Sequence, residues 1–193
     1  MGAVLGGLSE GIQAKLNGGR FGDGAKVTRT TLVERSITPV LADGDMDCVG
    51  SNIESISNGE YTQQSVRMHM KGLGSNKNTT GLRTYETTKW YANKKGVSFN
   101  HVNLETNPLS AEQYASIMNQ GNGSNAIISL GQGSLPGHTV TLEAITSEVI
   151  TKVNGNVVRD VMIYSVMDPA VGGFVNYYNG IPSSRAVFFI GIP

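Results

Sequence analysis

Cysteine is nearly absent from this chain. Cys48 stands alone among 193 residues, which excludes an internal disulfide framework and leaves one free thiol. Net charge is absent as well. Fifteen Lys and Arg offset fifteen Asp and Glu, so charge offers no argument for nucleic acid or an anionic membrane as a partner. The three histidines (His69, His101, His138) lie far apart, and there is no CxxC or Cys/His cluster. No metal site or cofactor is therefore expected. No apolar run approaches the ~20 residues that cross a bilayer, and the start lacks the basic-then-apolar pattern of a secretory signal. The length suits one domain with a sizeable core.

What is present gathers around the lone thiol. Cys48 follows Asp43, Asp45 and Asp47 and opens a helical pattern in which Val49, Ile53 and Ile56 recur at offsets of four and three. At a helix start a thiol sits among unpaired N–H groups near the positive end of the dipole, which favours the nucleophilic thiolate. The three acids oppose this and are expected to push the thiol pKa up. A buried free cysteine acting as a small hydrophobe is the plain alternative.

Along the chain, residues 1–30 are glycine-rich and read as a leader or linker, with one domain over 31–193. Thr28 to Val40 reads as an extended lead-in. A first helix is expected from Cys48 to Ser57, ended by Asn58-Gly59. A second, capped by Thr62, runs to Lys71 with Val66, Met70 and Leu73 on one side. A third spans about 81–93, with Trp90 and Tyr91 as core anchors. Val97 to Leu104 alternates as a strand that carries His101 on the sheet surface. Ser110 caps a helix through Met118.

Ala126 to Leu130 is a short apolar strand. Gly131 to His138 reads as a loop with three glycines. His138 opens an alternating strand, Asn154-Gly155 marks a hairpin turn, and Val157 to Val166 returns as a strand ending at Met167-Asp168-Pro169. Phe174 to Tyr178 and Ala186 to Ile190 are the last strands, with a turn at Asn179-Gly180. Helices in the first half and hairpin-linked strands in the second predict an α+β fold.

His138 lies sixteen residues before the Asn154-Gly155 turn and Asp168 thirteen after it. An antiparallel hairpin brings both to its open end. A carboxylate there can hold one imidazole nitrogen while the other faces a thiol, and the imidazole can take and return the thiol proton. Cys48, His138 and Asp168 are thus the candidate catalytic triad.

These residues resemble the papain-like cysteine peptidases. The order Cys, His, Asp, the cysteine at a helix start, Gly137-His-Thr-Val-Thr-Leu142 and Asp168-Pro169 carry the resemblance, the last being especially like the bacteriocin-processing branch. The resemblance implies a papain-like fold, with N-terminal helices packed on a C-terminal antiparallel sheet. It also implies a thioester formed from an amide carbonyl. One departure is clear. The family places an oxyanion-hole glutamine shortly before the cysteine, whereas residues 41–47 are Leu-Ala-Asp-Gly-Asp-Met-Asp. The Cys48 N–H can serve as one donor, with Gln132 or Asn52 as candidate second donors; Asp47 is a candidate for reading a basic or amine-bearing substrate. Losing one donor costs about a hundredfold in rate.

The leader resembles the glycine-rich segment upstream of toxin domains in Rhs and related polymorphic toxins, through Gly6-Gly7, Gly11-Ile-Gln-Ala14, Gly19-Arg-Phe21 and Gly24-Ala25. Together the two resemblances imply an antibacterial effector domain, secreted or injected into a competing cell. Its partners would be a protein or peptidoglycan substrate and a cognate immunity protein, with no nucleic acid and no membrane. A peptidase or amidase is the leading expectation. A deamidase or transglutaminase-like acyltransferase on the same triad, or a non-catalytic binding domain, is the alternative.

Overall fold

The computed structural model describes residues 25–44, 47–72, 83–132, 135–152 and 156–193. They form four helices and a seven-stranded antiparallel sheet, a mixed architecture compatible with the α+β expectation. The strands are β1 (Lys26–Glu34), β2 (Phe99–Asn103), β3 (Ser124–Gln132), β4 (Leu135–Thr151), β5 (Val157–Asp168), β6 (Gly173–Tyr178) and β7 (Ser184–Gly191). The helices are α1 (Cys48–Ile56), α2 (Gln63–Gly72), α3 (Thr84–Lys95) and α4 (Ala111–Met118). No helix among the described residues is long and apolar enough to cross a membrane.

The sheet runs β2-β7-β3-β4-β5-β6, and β1 adds to β4. β4 is long enough to take two partners on one edge. Leu135–Leu142 pairs with β3 and Ala144–Thr151 with β1, while β5 pairs along the other edge. Arg35 bolts this junction. Its N–H donates to the Glu143 carbonyl at 2.8 Å, and its guanidinium reaches the carbonyls of Ser124 and Met118. β1 begins at Lys26, ahead of the domain start expected at residue 31.

Strand alternation sends neighbouring residues to opposite faces, and both faces are covered. Ile127 and Ile190 pack with Cys48, Val49, Ile53, Val66, Met70, Tyr91 and Ala92 of α1–α3. Ala126, Ile128 and Phe189 pack with Tyr114, Ala115 and Met118 of α4. This explains why β3 reads as an unbroken apolar run: Ala126, Ile127 and Ile128 are all fully buried.

Local signals set the helix ends. α1 stops where Asn58 and Gly59 turn left-handed, at φ 51° and 81°. Thr62 accepts the Ser65 N–H at the start of α2, and Ser110 with Gln113 forms a capping box on α4. Leu73, expected on the apolar side of α2, and the expected start of α3 near Gly81 lie outside the described residues, as does the Asn154-Gly155 turn.

One expectation is corrected. Gly131 to His138 is not a simple loop. β3 extends through Gln132, and β4 starts at Leu135, with Gln132 opposite Leu135. Gly131 donates its N–H to Ser183, and a Cβ there would fall 1.9 Å from Nε of Arg185. The glycine leaves room for the Arg185 side chain lying over the strand and does not turn the chain. His138 is consequently the fourth residue of its strand.

Candidate active site

Cys48 is the first residue of α1 and is buried. Helix geometry leaves its N–H without an intrahelical acceptor. Asp47, the residue before it, makes no side-chain cap, because its carboxylate is engaged by Arg67 of α2. The helix is stapled to the sheet one turn further on. The Asn52 amide, fully buried, donates to the Cys48 carbonyl and to Oγ1 of Thr139, both at 2.8 Å. Its oxygen accepts the Thr141 hydroxyl at 2.6 Å. Thr139 and Thr141 face α1 on β4, so the residue after His138 is tied directly to the cysteine helix.

His138 and Asp168 meet at the end of the β4–β5 ribbon. Thr141 pairs with Met167, and continuing that register puts His138 one diagonal step from Asp168, within reach of long side chains. Nε2 of His138 lies 2.7 Å from Oδ1 of Asp168. The same carboxylate oxygen accepts the Ala170 N–H at 2.9 Å, and the Asp168 carbonyl accepts from Val171 and Gly172. Asp168 therefore organises the β5–β6 turn as well as holding the imidazole.

With Nε2 committed, Nδ1 is the nitrogen left for the sulfur, and Cys48 and His138 line the same cavity. Burial pushes the Cys48 thiol up. The hydrogen bond and charge of His138, with hydrogen bonds from the Thr139 hydroxyl and main chain, outweigh it, and the thiol settles below its ordinary value. For His138, the bond to Cys48 raises the imidazole, burial lowers it, and the bond and charge of Asp168 raise it; the net is upward. These opposite shifts favour a thiolate–imidazolium pair. Arg67 pairs with Asp47 and lies 3.7 Å from Asp43, which offsets the upward push expected from those two aspartates; Asp45 lies outside the described residues.

The pair opens into a cavity of about 250 Å³. One wall is the Leu41–Gly44 segment, the other Pro169–Ala170. The Ala42 N–H donates to the Pro169 carbonyl at 2.9 Å and bridges the two. Leu41 and Val171 stand exposed. Gly172, at φ 62°, lets the turn pass close beneath Leu41, for a Cβ there would come within 2.9 Å of the leucine Cβ.

The other sequence-derived candidates fare differently. Asn52 points both its donor and its acceptor into the α1–β4 staple, so it is not placed as a free oxyanion donor. Asp47 is held by Arg67 and stands only 15% exposed. The side chain of Gln132 lies outside the described residues. His101 stacks on Phe188 with ring centroids 5.0 Å apart, and His69 stacks on Trp90 at 4.3 Å; neither lines the cavity. Among the described residues no three His, Cys, Asp or Glu side chains are grouped to hold a metal ion.

Sequence reasoning missed Thr139, Thr141, Gln63 and Arg67. The Thr139 signal was present: a polar residue on a buried strand face, next to the candidate histidine. The other contacts join segments whose spacing carries no pattern.

A thiolate beside an imidazolium, with a carboxylate behind it and a helix N-terminus in front, can attack an electrophilic carbon and protonate a leaving group. Comparison with models of known families found no match, and comparison with curated proteins found none either.

Proposed function

We propose that the chain is a papain-like thiol hydrolase acting on an amide bond. The observation that carries this reading is one imidazole held by a carboxylate and lining the same cavity as the only thiol. In the first half-reaction the Cys48 sulfur bonds to the amide carbon, and the carbonyl electrons move to oxygen. The Cys48 N–H at the start of α1 faces that developing charge as one donor. The amine then leaves with the proton that His138 carries, giving a thioester. In the second half-reaction His138 takes a proton from water, the hydroxide adds to the thioester carbon, and the C–S bond breaks, releasing the acid and restoring the Cys48 thiolate beside the protonated imidazole. Asp168 orients the ring and stabilises its charged form throughout.

The Rhs-like leader supports placing this domain at the toxic tip of a polymorphic effector, delivered into a competing bacterial cell and neutralised in the producer by an immunity protein. The test is expression in bacteria without a protector, targeted to the cytoplasm and to the periplasm. Growth arrest by the natural chain in one compartment, absent for Cys48→Ala, is the expected result. Equal arrest by both rejects the enzymatic reading. The compartment separates a cytosolic protein target from a peptidoglycan crosslink.

A further inference from the structure

The cleft wall that faces Cys48 has no strand to hold it. Residues 35–44 belong to no helix or ladder, and among the described residues three hydrogen bonds fix the Leu41–Asp43 main chain. One is the bridge from Ala42 to Pro169. The other two go to a single side chain. Nε2 of Gln63 donates to the Leu41 carbonyl, and Oε1 of Gln63 accepts the Asp43 N–H, each at 2.9 Å. The amide thus pairs with the segment as a strand would, taking the carbonyl of one residue and the N–H two positions on.

Gln63 is itself anchored. It is 4% exposed, and its N–H donates to Oε2 of Glu54 on α1 at 2.9 Å. Its main chain also crosses α1 at Gly50, where an added Cβ would already be 3.4 Å from the Gln63 Cα. The helix that carries the sulfur and the wall that faces it are therefore linked through one residue. We propose that Gln63 is a positioning residue, holding the Leu41–Asp43 wall at the distance from Cys48 that an extended peptide substrate needs. It touches neither the sulfur nor the imidazole, so it governs how a peptide lies in the cleft and not how reactive the thiol is.

This inference rests on the thiol-hydrolase reading, and two electrophiles separate them. Iodoacetamide is small and reports the thiol–imidazole pair alone; an N-blocked Leu-Ala chloromethyl ketone must also lie along the wall. Both react by forming a C–S bond and expelling halide, so the ratio of their rates cancels thiolate fraction. In the full chain, Gln63→Ala should lower the ketone-to-iodoacetamide ratio at least about tenfold, as expected for a misplaced substrate.

Gln63→Glu keeps the shape. Ionised, it opposes the Leu41 carbonyl; protonated, it can donate to that carbonyl and still accept from Asp43. Its ratio should be low at neutral pH and recover as the carboxyl takes up its proton, while Gln63→Met should stay low throughout. A ratio unchanged in Gln63→Ala, a Gln63→Glu ratio flat with pH, or parallel loss of both reactions in the folded isosteric variants overturns the proposal. Wild-type reaction no faster than that of a free cysteine peptide with either probe overturns the hydrolase reading and this inference with it.

Discussion

Nε2 of His138 lies 2.7 Å from Oδ1 of Asp168, and the two residues sit one diagonal step apart on neighbouring antiparallel strands. The contact is set by the register of the longest ribbon in the fold, so it does not depend on a loop settling into place. It also fixes which ring nitrogen is left for Cys48. Among the causes that raise the imidazole, the Asp168 bond and charge follow only the bond to Cys48 itself.

The first prediction is the pH profile of Cys48 alkylation. The thiol is lowered and the imidazole raised, and both shifts widen the pH window in which thiolate and imidazolium coexist. Iodoacetamide reactivity should appear below the ordinary thiol range near 8.5. In His138→Ala the leading downward cause is gone while burial still pushes the thiol up, so the profile should move above that range. Asp168→Asn removes part of what raises His138, which narrows the window from its alkaline side and should cut amide turnover about a hundredfold or more. A wild-type profile like that of free cysteine would contradict the ion pair.

The second concerns the Asn52 staple. Asn52→Leu fills similar space but leaves the Thr139 and Thr141 hydroxyls without their amide partner. The Thr139 hydroxyl keeps Cys48 as a partner, but the Thr141 hydroxyl is left unpaired, which costs about 1–3 kcal/mol, and denaturant unfolding should show a loss of that size. Destabilisation below about 0.5 kcal/mol would mean that the Thr141 hydroxyl finds another partner.

The third compares two left-handed glycines. Gly172 and Gly59 have φ of 62° and 81°, but a Cβ meets Leu41 at 2.9 Å at the first and nothing within 4 Å at the second. Alanine at either should cost about 1–2 kcal/mol for the backbone alone. Only Gly172→Ala should also disturb the cleft, by pushing Leu41 outward. Measured unfolding free energies with parallel peptidyl chloromethyl ketone rates will separate the two effects; equal rates in both variants would show that the wall tolerates the shift.

The sheet was legible where one strand's pattern could be set against another's. Alternation from His138 onward and in Val157–Val166, with turn residues between, points to a hairpin, and its spacing brings His138 and Asp168 to one end. The α1 boundary was legible for a similar reason, since Asn58-Gly59 is a local stop. The Gly131–His138 stretch was misread because glycine has two uses. There it clears space for Arg185 across the strand and does not turn the chain. Gln63 was invisible because its role depends on three segments meeting: residues 41–43, the start of α2 and Gly50 of α1. The Asp47–Arg67 pair depends on the same meeting of helices, and without it the acids before Cys48 look like an electrostatic burden.

That pair carries the last prediction. Asp47 adjoins the sulfur-bearing residue at the mouth of α1, where an unpaired carboxylate would favour the thiol over the thiolate. Arg67, partly buried against it, supplies the opposing charge. Arg67→Gln should therefore move the alkylation profile of Cys48 to higher pH, and Asp47→Asn in that background should move it back. Asp47→Asn alone, with Arg67 left as the nearer charge, should move it slightly lower. The double-mutant cycle isolates the coupling from any general loss of stability. If Arg67→Gln leaves the profile in place while His138→Ala shifts it, the thiolate is set by the imidazole and Thr139 alone, and the acidic approach to Cys48 has no electrostatic part in its reactivity.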